Sequence, residues 1–312
     1  MRELTLRQLE YFVAIAETGS VTAAAARCNV SQAAVSLALA ELERVVGATL
    51  VIRRRGKGVA LTAEGKVVAT RARLVAEQVA DIASVVDEVR GRLAGRLVVG
   101  VFRTIAMYVI PHLVDWFTER HPHVELDFVE GSGPEVQEEM LAGRLQVCVV
   151  YEAQLIPGCA GEVLRETRRM VVLSPDHRLS QHERIALSEL APYPAMLLNE
   201  EPALHRTLAA FDAAGVEPRV MWRSASVQAI QNVVGRNLAY SLLMQPTPAS
   251  PEGRPLVYRP IAGDVPRNAT MAALPVGVRP NALVGEAVTA LRDYWAGEMP
   301  VGHWSKDDGH AS

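Results

Sequence analysis

The chain has 312 residues, 49% of them hydrophobic, enough to bury two or three globular cores rather than one small domain. Its formal charge of −3 is uneven: residues 1–66 hold nine Lys or Arg against six Asp or Glu, a net of +3, leaving −6 for the remainder. No stretch is long and apolar enough to span a bilayer, and Met1-Arg2-Glu3-Leu4 lacks the apolar core of a signal peptide, so a cytoplasmic location with no membrane partner is expected.

Thr5-Leu6-Arg7-Gln8 fits a capping box, which predicts a helix through Leu9, Phe12, Val13 and Ala16 that stops at Gly19. Two short alanine-rich helices then flank Cys28-Asn29-Val30, the pattern of a helix-turn-helix. Ser31 is placed to cap the second, and Val35, Leu39, Leu42 and Val46 recur at helical spacing as its buried stripe. The opposite face offers Gln32, Ala33, Ser36, Leu37 and Ala40, small or polar groups that permit close approach to base edges in a major groove. Ser20, Thr22, Ser31, Gln32, Ala33, Ser36 and Leu37 are the candidate DNA contacts of this unit. Next come two short strands around Arg53-Arg54-Arg55-Gly56-Lys57-Gly58, which read as a basic wing whose Arg53, Arg54, Arg55 and Lys57 neutralise phosphates. A three-helix bundle with a solvated charge run is the competing reading. The position of the run, one hairpin after the recognition helix, favours DNA.

Thr62 is placed to cap a long helix from about Ala63 to Arg92, roughly 45 Å at 1.5 Å per residue. Along it Val75, Val79, Ile82, Val86 and Val89 alternate at spacings of four and three, the seam of a coiled coil and the expected dimer contact. Pairing sets two recognition helices on successive turns of one DNA face, so double-stranded DNA with an interrupted inverted repeat is the expected partner. Packing against the chain's own second domain is the alternative. After a glycine-punctuated hinge at Gly91 to Gly95, strands at Arg96–Val101, Val124–Val129 and Gln146–Tyr151 alternate with helices at Ile105–Arg120 and Glu135–Ala142, which predicts a parallel α/β sheet. A second α/β unit runs from about Thr167 to Pro260, with Met170–Leu173, a helix Leu204–Ala214, and Ala229–Val234 before Leu238–Leu243. Thr270–Leu274 and Leu283–Trp295 return as a strand and a helix.

The whole chain resembles a LysR-type transcriptional regulator, most densely at Leu6-Arg7-Gln8-Leu9-Glu10-Tyr11-Phe12, Gly19-Ser20-Val21-Thr22-Ala23-Ala24-Ala25, Val30-Ser31-Gln32-Ala33-Ala34-Val35-Ser36 and Leu61-Thr62-Ala63-Glu64-Gly65. It departs from the family where Ala33 replaces a common proline, Leu37 a polar or basic residue, and Val51 a phenylalanine. The resemblance implies an amino-terminal all-α winged helix-turn-helix over 1–62, a linker and dimerisation helix over 63–93, and a two-lobed α/β periplasmic-binding-protein-like effector domain over 94–300. Lobe I would take about 94–166 and 267–298, lobe II about 167–266, and residues 301–312 a flexible tail. It also implies self-association to dimers and tetramers and a small-molecule effector in the cleft; RNA polymerase is a further candidate partner.

Clefts of such domains bind ligands near the carboxyl ends of strands and amino ends of helices. That rule nominates Arg103, Thr104, Ser132 and Ser226, with Glu201, His205 and Arg206 on the facing loop, and a small organic anion as ligand. Helix capping is the plainer reading of the hydroxyls. Cys28, Cys148 and Cys159 form no CxxC pair and are odd in number, which argues against a disulfide framework and structural zinc. Oxidant sensing through Cys148 and Cys159 is an alternative function. A third is an α/β enzyme fused to the DNA-binding unit, but GxSxG, Walker, HExxH and dinucleotide motifs are missing from the sequence, and His112, His121 and His123 lack metal-ligand spacing. No catalysis, metal or cofactor is expected.

Overall fold

The computed structural model describes residues 4–54, 58–89, 92–263 and 265–296. Helix α1 (Leu6–Thr18) begins where Thr5 and Gln8 exchange side-chain and backbone hydrogen bonds, and it ends at Gly19 with φ 64°, a left-handed turn that suits glycine. Helices α2 (Val21–Arg27) and α3 (Gln32–Val46) are capped by the hydroxyls of Ser20 and Ser31, and Asn29 turns the chain between them at φ 53°. Phe12, Ile15, Ala24, Val35, Leu39, Leu42 and Leu50 close the core of this unit. Val46 does not join it. At the last residue of α3 it is 39% exposed, so the buried stripe stops at Leu42.

Strands β1 (Val51–Arg54) and β2 (Gly58–Leu61) pair antiparallel as the expected hairpin. Its base is tied to α1, because Val59 N donates to Gly19 O at 2.8 Å and any Cβ at Gly58 would collide with that carbonyl. Thr62 Oγ1 accepts from Gly65 N at 2.9 Å and opens α4 (Ala63–Val89), 27 residues long. The expectation of a helix reaching Arg92 was too long, since Arg92 already lies outside helical structure. The side chains of Arg53, Arg54, Val86 and Val89, all of Arg55 and Lys57, and the tail 301–312 lie outside the described residues.

Lobe I begins with β3 (Ala94–Phe102), α5 (Ala106–Arg120), β4 (His123–Gly131), α6 (Gly133–Leu141), β5 (Val147–Tyr151) and β6 (Cys159–Thr167). The chain then crosses into lobe II: β7 (Met170–Leu173), α7 (Leu187–Leu190), β8 (Pro194–Leu198), α8 (Ala203–Ala213), β9 (Arg219–Ser224), α9 (Val227–Gly235), β10 (Ser241–Leu243) and β11 (Val257–Pro260). It returns through β12 (Asn268–Pro275) and α10 (Ala282–Ala296).

The lobe I sheet has the order β4-β3-β5-β12-β6. It is mixed, which corrects the all-parallel expectation: β3 runs parallel to β4 and β5, but β12 is antiparallel to β5 and β6. The cause is topological. A strand re-entering from lobe II starts at the cleft, where β5 ends, and must run the other way; Thr270 accordingly pairs with Tyr151. In lobe II β7 is central and antiparallel to β10 and β11, while β8 and β9 are parallel and meet β10 through a bridge between Ala195 and Tyr240. Separate cores, one around Leu97, Phe102, Leu113 and Leu291 and others around Val171, Phe211 and Tyr240 and around Val172, Ile230 and Val234, leave a cleft between the lobes.

Candidate effector cleft and DNA-reading face

The cleft holds a cavity of about 50 Å³, walled by Phe102, Tyr108, Leu198, Val227, Leu243 and Met244 among other residues. Its polar groups come from both lobes. Thr104 and Tyr151 belong to lobe I, and Arg169, Arg206 and Gln245 lie beyond the first crossover. Arg169 is the unusual group: it is only 6% exposed, its Nη1 donates to Arg206 O at 3.1 Å, and the neighbouring charge is a second cation, Arg206. Burial, helped by that like charge, lowers its pKa to about 10, so the guanidinium still carries its proton at neutral pH. Gln245 is equally buried; its Nε2 donates to Tyr151 Oη at 3.4 Å, while its Oε1 has no partner. Burial raises the Tyr151 phenol to about 12 despite hydrogen bonds with Gln245 and Thr104, so it remains a neutral hydroxyl.

Of the residues nominated from sequence, Thr104 and Arg206 line this cavity. Ser132 and Ser226 instead accept the backbone N–H of Glu135 and Ala229 as helix caps, and Glu201 and His205 are exposed and outside the lining. Arg103 spans the mouth. Its guanidinium reaches Glu200 of lobe II at 2.8 Å and Glu135 of lobe I at 3.3 Å, an ion pair between lobes rather than a hand in the cavity. Arg169, Gln245, Tyr108 and Tyr151 were missed. The available signal was the cation pair Arg168-Arg169 directly before the apolar run Met170–Leu173, where a charge must either face solvent or enter the cleft.

The amino-terminal unit keeps the helix-turn-helix geometry. Gln32 and Ala33 are exposed at the start of α3, Ser36 is half-buried, and Leu37 is 63% exposed on the outward face. Thr22 is exposed on α2, whereas the hydroxyls of Ser20 and Ser31 are engaged as caps. On α4, Val75, Val79 and Ile82 all stand exposed, Ile82 most at 67%. Arg73 of α4 is buried and links two units. Its Nε reaches Glu17 of α1 at 3.5 Å and its Nη1 donates to Ala142 O after α6 at 2.9 Å.

Cys148 is buried and its Sγ donates to Val136 O at 3.1 Å; Cys159 is half-buried. Strand β12 lies between the strands that carry them. At ~4.8 Å per strand spacing their backbones stand roughly 10 Å apart, beyond the ~7 Å limit for a disulfide. Burial raises both thiols above their ordinary pKa. His121 Nε2 is bonded to Glu286 Oε1 at 2.9 Å, and among the described residues no cluster of three His, Cys, Asp or Glu has metal-site geometry. No described helix is long and apolar enough to cross a membrane.

A winged helix-turn-helix joined by a long helix to a two-lobed domain with a polar-centred cleft defines a ligand-responsive, DNA-binding regulator. Residues 6–66 match the family described as bacterial regulatory helix-turn-helix protein, lysR family, and residues 90–296 match the LysR substrate binding domain. The chain belongs to the LysR family of transcriptional regulators, which are not enzymes. It is 33% identical over 196 residues to the HTH-type transcriptional regulator YvbU of Bacillus subtilis (strain 168), covering 62% of this chain and 66% of that protein. It is 27% identical over 302 residues to the Hca operon transcriptional activator HcaR of Escherichia coli (strain K12), covering 94% of this chain and 96% of that protein. Among solved structures, a full-length single-site variant of OxyR from Pseudomonas aeruginosa superposes with a TM-score of 0.71 at 24% identity over 94% of this chain and 97% of that one, a likeness of fold.

Proposed function

We propose that this regulator works in the cytoplasm as a dimer that assembles further to tetramers, reads an interrupted inverted repeat through α3 and the β1–β2 wing, and answers to a small organic anion in the cleft, with RNA polymerase as its downstream partner. The buried Arg169 carries the effector reading. A guanidinium buried in the cleft beside a second cation is costly until an anion neutralises it, and its donors favour a carboxylate. The exposed line Val75, Val79 and Ile82 supports pairing through α4. Cleft closure is relayed by two contacts. Arg103 to Glu200 joins the lobes, and Arg73 joins lobe I to α1. The ligand then needs only a different affinity for two arrangements of the DNA-binding units.

Calorimetric titration of the full chain with small monocarboxylates, dicarboxylates and the corresponding uncharged amides tests the effector class. At least one acid binds tenfold or more tightly than its amide; equal binding of acid and amide, or no binding by any acid, overturns the anion reading. On the DNA side, Gln32→Ala is expected to cut discrimination between operator and random duplex by roughly 1–3 kcal/mol while leaving random-duplex affinity unchanged. Anisotropy titrations on both duplexes check it, and equal losses on the two contradict the assignment of Gln32 as a reader.

Oxidant sensing through Cys148 and Cys159 is the second reading, and the fold likeness to OxyR motivates it. The intervening β12 and the raised thiol pKa values oppose it. Alkylation of Cys159 at pH 7 is therefore expected to run slower than that of a model peptide thiol and to accelerate only at a higher pH than the peptide requires, because burial raises the thiol. Faster alkylation at pH 7, with loss of DNA binding on peroxide treatment, would restore the redox reading.

A further inference from the structure

A single exposed leucine on a protein surface is ordinary. The position of Leu37 is not. It is 63% exposed in the middle of the outward face of α3, with Ala33 one turn before it, Ala40 one turn after it, and Ser36 beside it. Val35, Leu39 and Leu42 lock the opposite side of the helix into the core, and Gln8 of α1 donates to Glu41 at 3.0 Å, so α3 has no freedom to rotate Leu37 out of sight. A leucine in that place has no donor for a phosphate and no partner for a polar base edge, and it would desolvate either one without compensation. The apolar group that a natural base pair displays in the major groove is the C5 methyl of thymine.

We propose that Leu37, flanked by the methyls of Ala33 and Ala40, is a specificity-determining residue that selects a thymine methyl in each half-site of the target. The inference rests on α3 being the helix that reads the major groove, and it gives that helix an apolar preference in addition to the polar one of Gln32. It also accounts for a leucine at a position where a polar side chain would make a phosphate or base contact.

The test uses the full chain and duplexes enriched by it from a randomised library. Each thymine of the enriched half-site is replaced singly by deoxyuridine, which lacks only the C5 methyl, and affinities are measured for the wild-type chain and for Leu37→Ala. At one thymine per half-site the wild-type chain is expected to lose about fourfold, the worth of one buried methyl group, and about fifteenfold when both half-sites are changed. Leu37→Ala binds the thymine and uracil duplexes alike, which closes a double-mutant cycle on the contact. A wild-type chain indifferent to every uracil replacement overturns the proposal and leaves α3 as reader, as does a Leu37→Ala variant that keeps the full uracil penalty. Failure of the wild-type chain to enrich any sequence, or enrichment of one that neither Leu37→Ala nor Gln32→Ala alters, overturns the reading helix and the proposal together. The wild-type uracil series stands whether or not the variant folds.

Discussion

Replacing Arg169 by methionine is expected to weaken the effector response, with effector affinity falling about 10- to 150-fold, the equivalent of one charge-assisted hydrogen bond of ~1.5–3 kcal/mol. Methionine fills much of the same volume without charge. The guanidinium is buried, its hydrogen bond within the chain is to the carbonyl of Arg206, and its charged neighbour is a like charge, so its removal costs the empty protein little. Two measurements separate binding from stability. Without ligand the melting temperature of Arg169→Met is expected to equal or exceed that of the wild-type chain, and with the effector at a hundredfold excess over the wild-type Kd the wild-type chain gains ~2.7 kcal/mol while the variant gains only about 0.3–1.4 kcal/mol. A variant that melts early with or without ligand assigns Arg169 to the framework instead.

The second large effect concerns the wing. Changing both Arg54 and Arg55 to alanine is expected to weaken binding to specific and random duplexes alike, because cations on phosphates act through counterion release rather than base identity. The slope of log affinity against log salt falls by about 0.9 for each phosphate no longer neutralised, or roughly 3.6 for four such phosphates across a dimer, equivalent to about a thousandfold at 0.15 M salt. Anisotropy titrations between 50 and 300 mM salt read both quantities. An unchanged slope, or a loss confined to the operator, means that these arginines do not meet phosphates. This behaviour is the opposite of that expected for Gln32→Ala and for uracil in place of thymine, so the three experiments divide the interface into positioning, polar reading and apolar reading.

The two ends of the molecule differ in how much of their chemistry is written in local order. In the amino-terminal unit every decisive feature is short-range: Thr5 and Gln8 cap each other three residues apart, Ser31 caps its own helix, and the glycines at 19 and 58 sit where the backbone turns left-handed. The exposed face of α3, the hairpin and the long helix therefore follow from spacing alone, apart from the exposed Val46 and the earlier end of α4. In the effector domain the same reasoning locates most helices and several strands, yet it passes over β6 and assigns all strands of lobe I one direction. Strand direction there depends on where the chain re-enters from the other lobe, more than a hundred residues later, and no local pattern encodes that.

The cleft makes the same distinction at the level of single side chains. Thr104 and Arg206 follow from the rule that ligands meet strand and helix ends, but that rule does not distinguish a hydroxyl that caps a helix, such as Ser132 or Ser226, from one that faces the cavity. Arg103 and Glu200 are 97 positions apart and meet only because the lobes face each other, and Arg169 and Gln245 are buried by residues distant in sequence. Sequence by itself thus determined the class of protein and located helix α3, the β1–β2 hairpin and helix α4, since each rests on periodicity and caps within one or two elements. Tertiary structure alone decided that Arg169 joins Arg206 at the cleft, that Arg103 ties the lobes together, and that β12 separates the two thiols, since burial and charge pairing are properties of surfaces brought together across the whole chain.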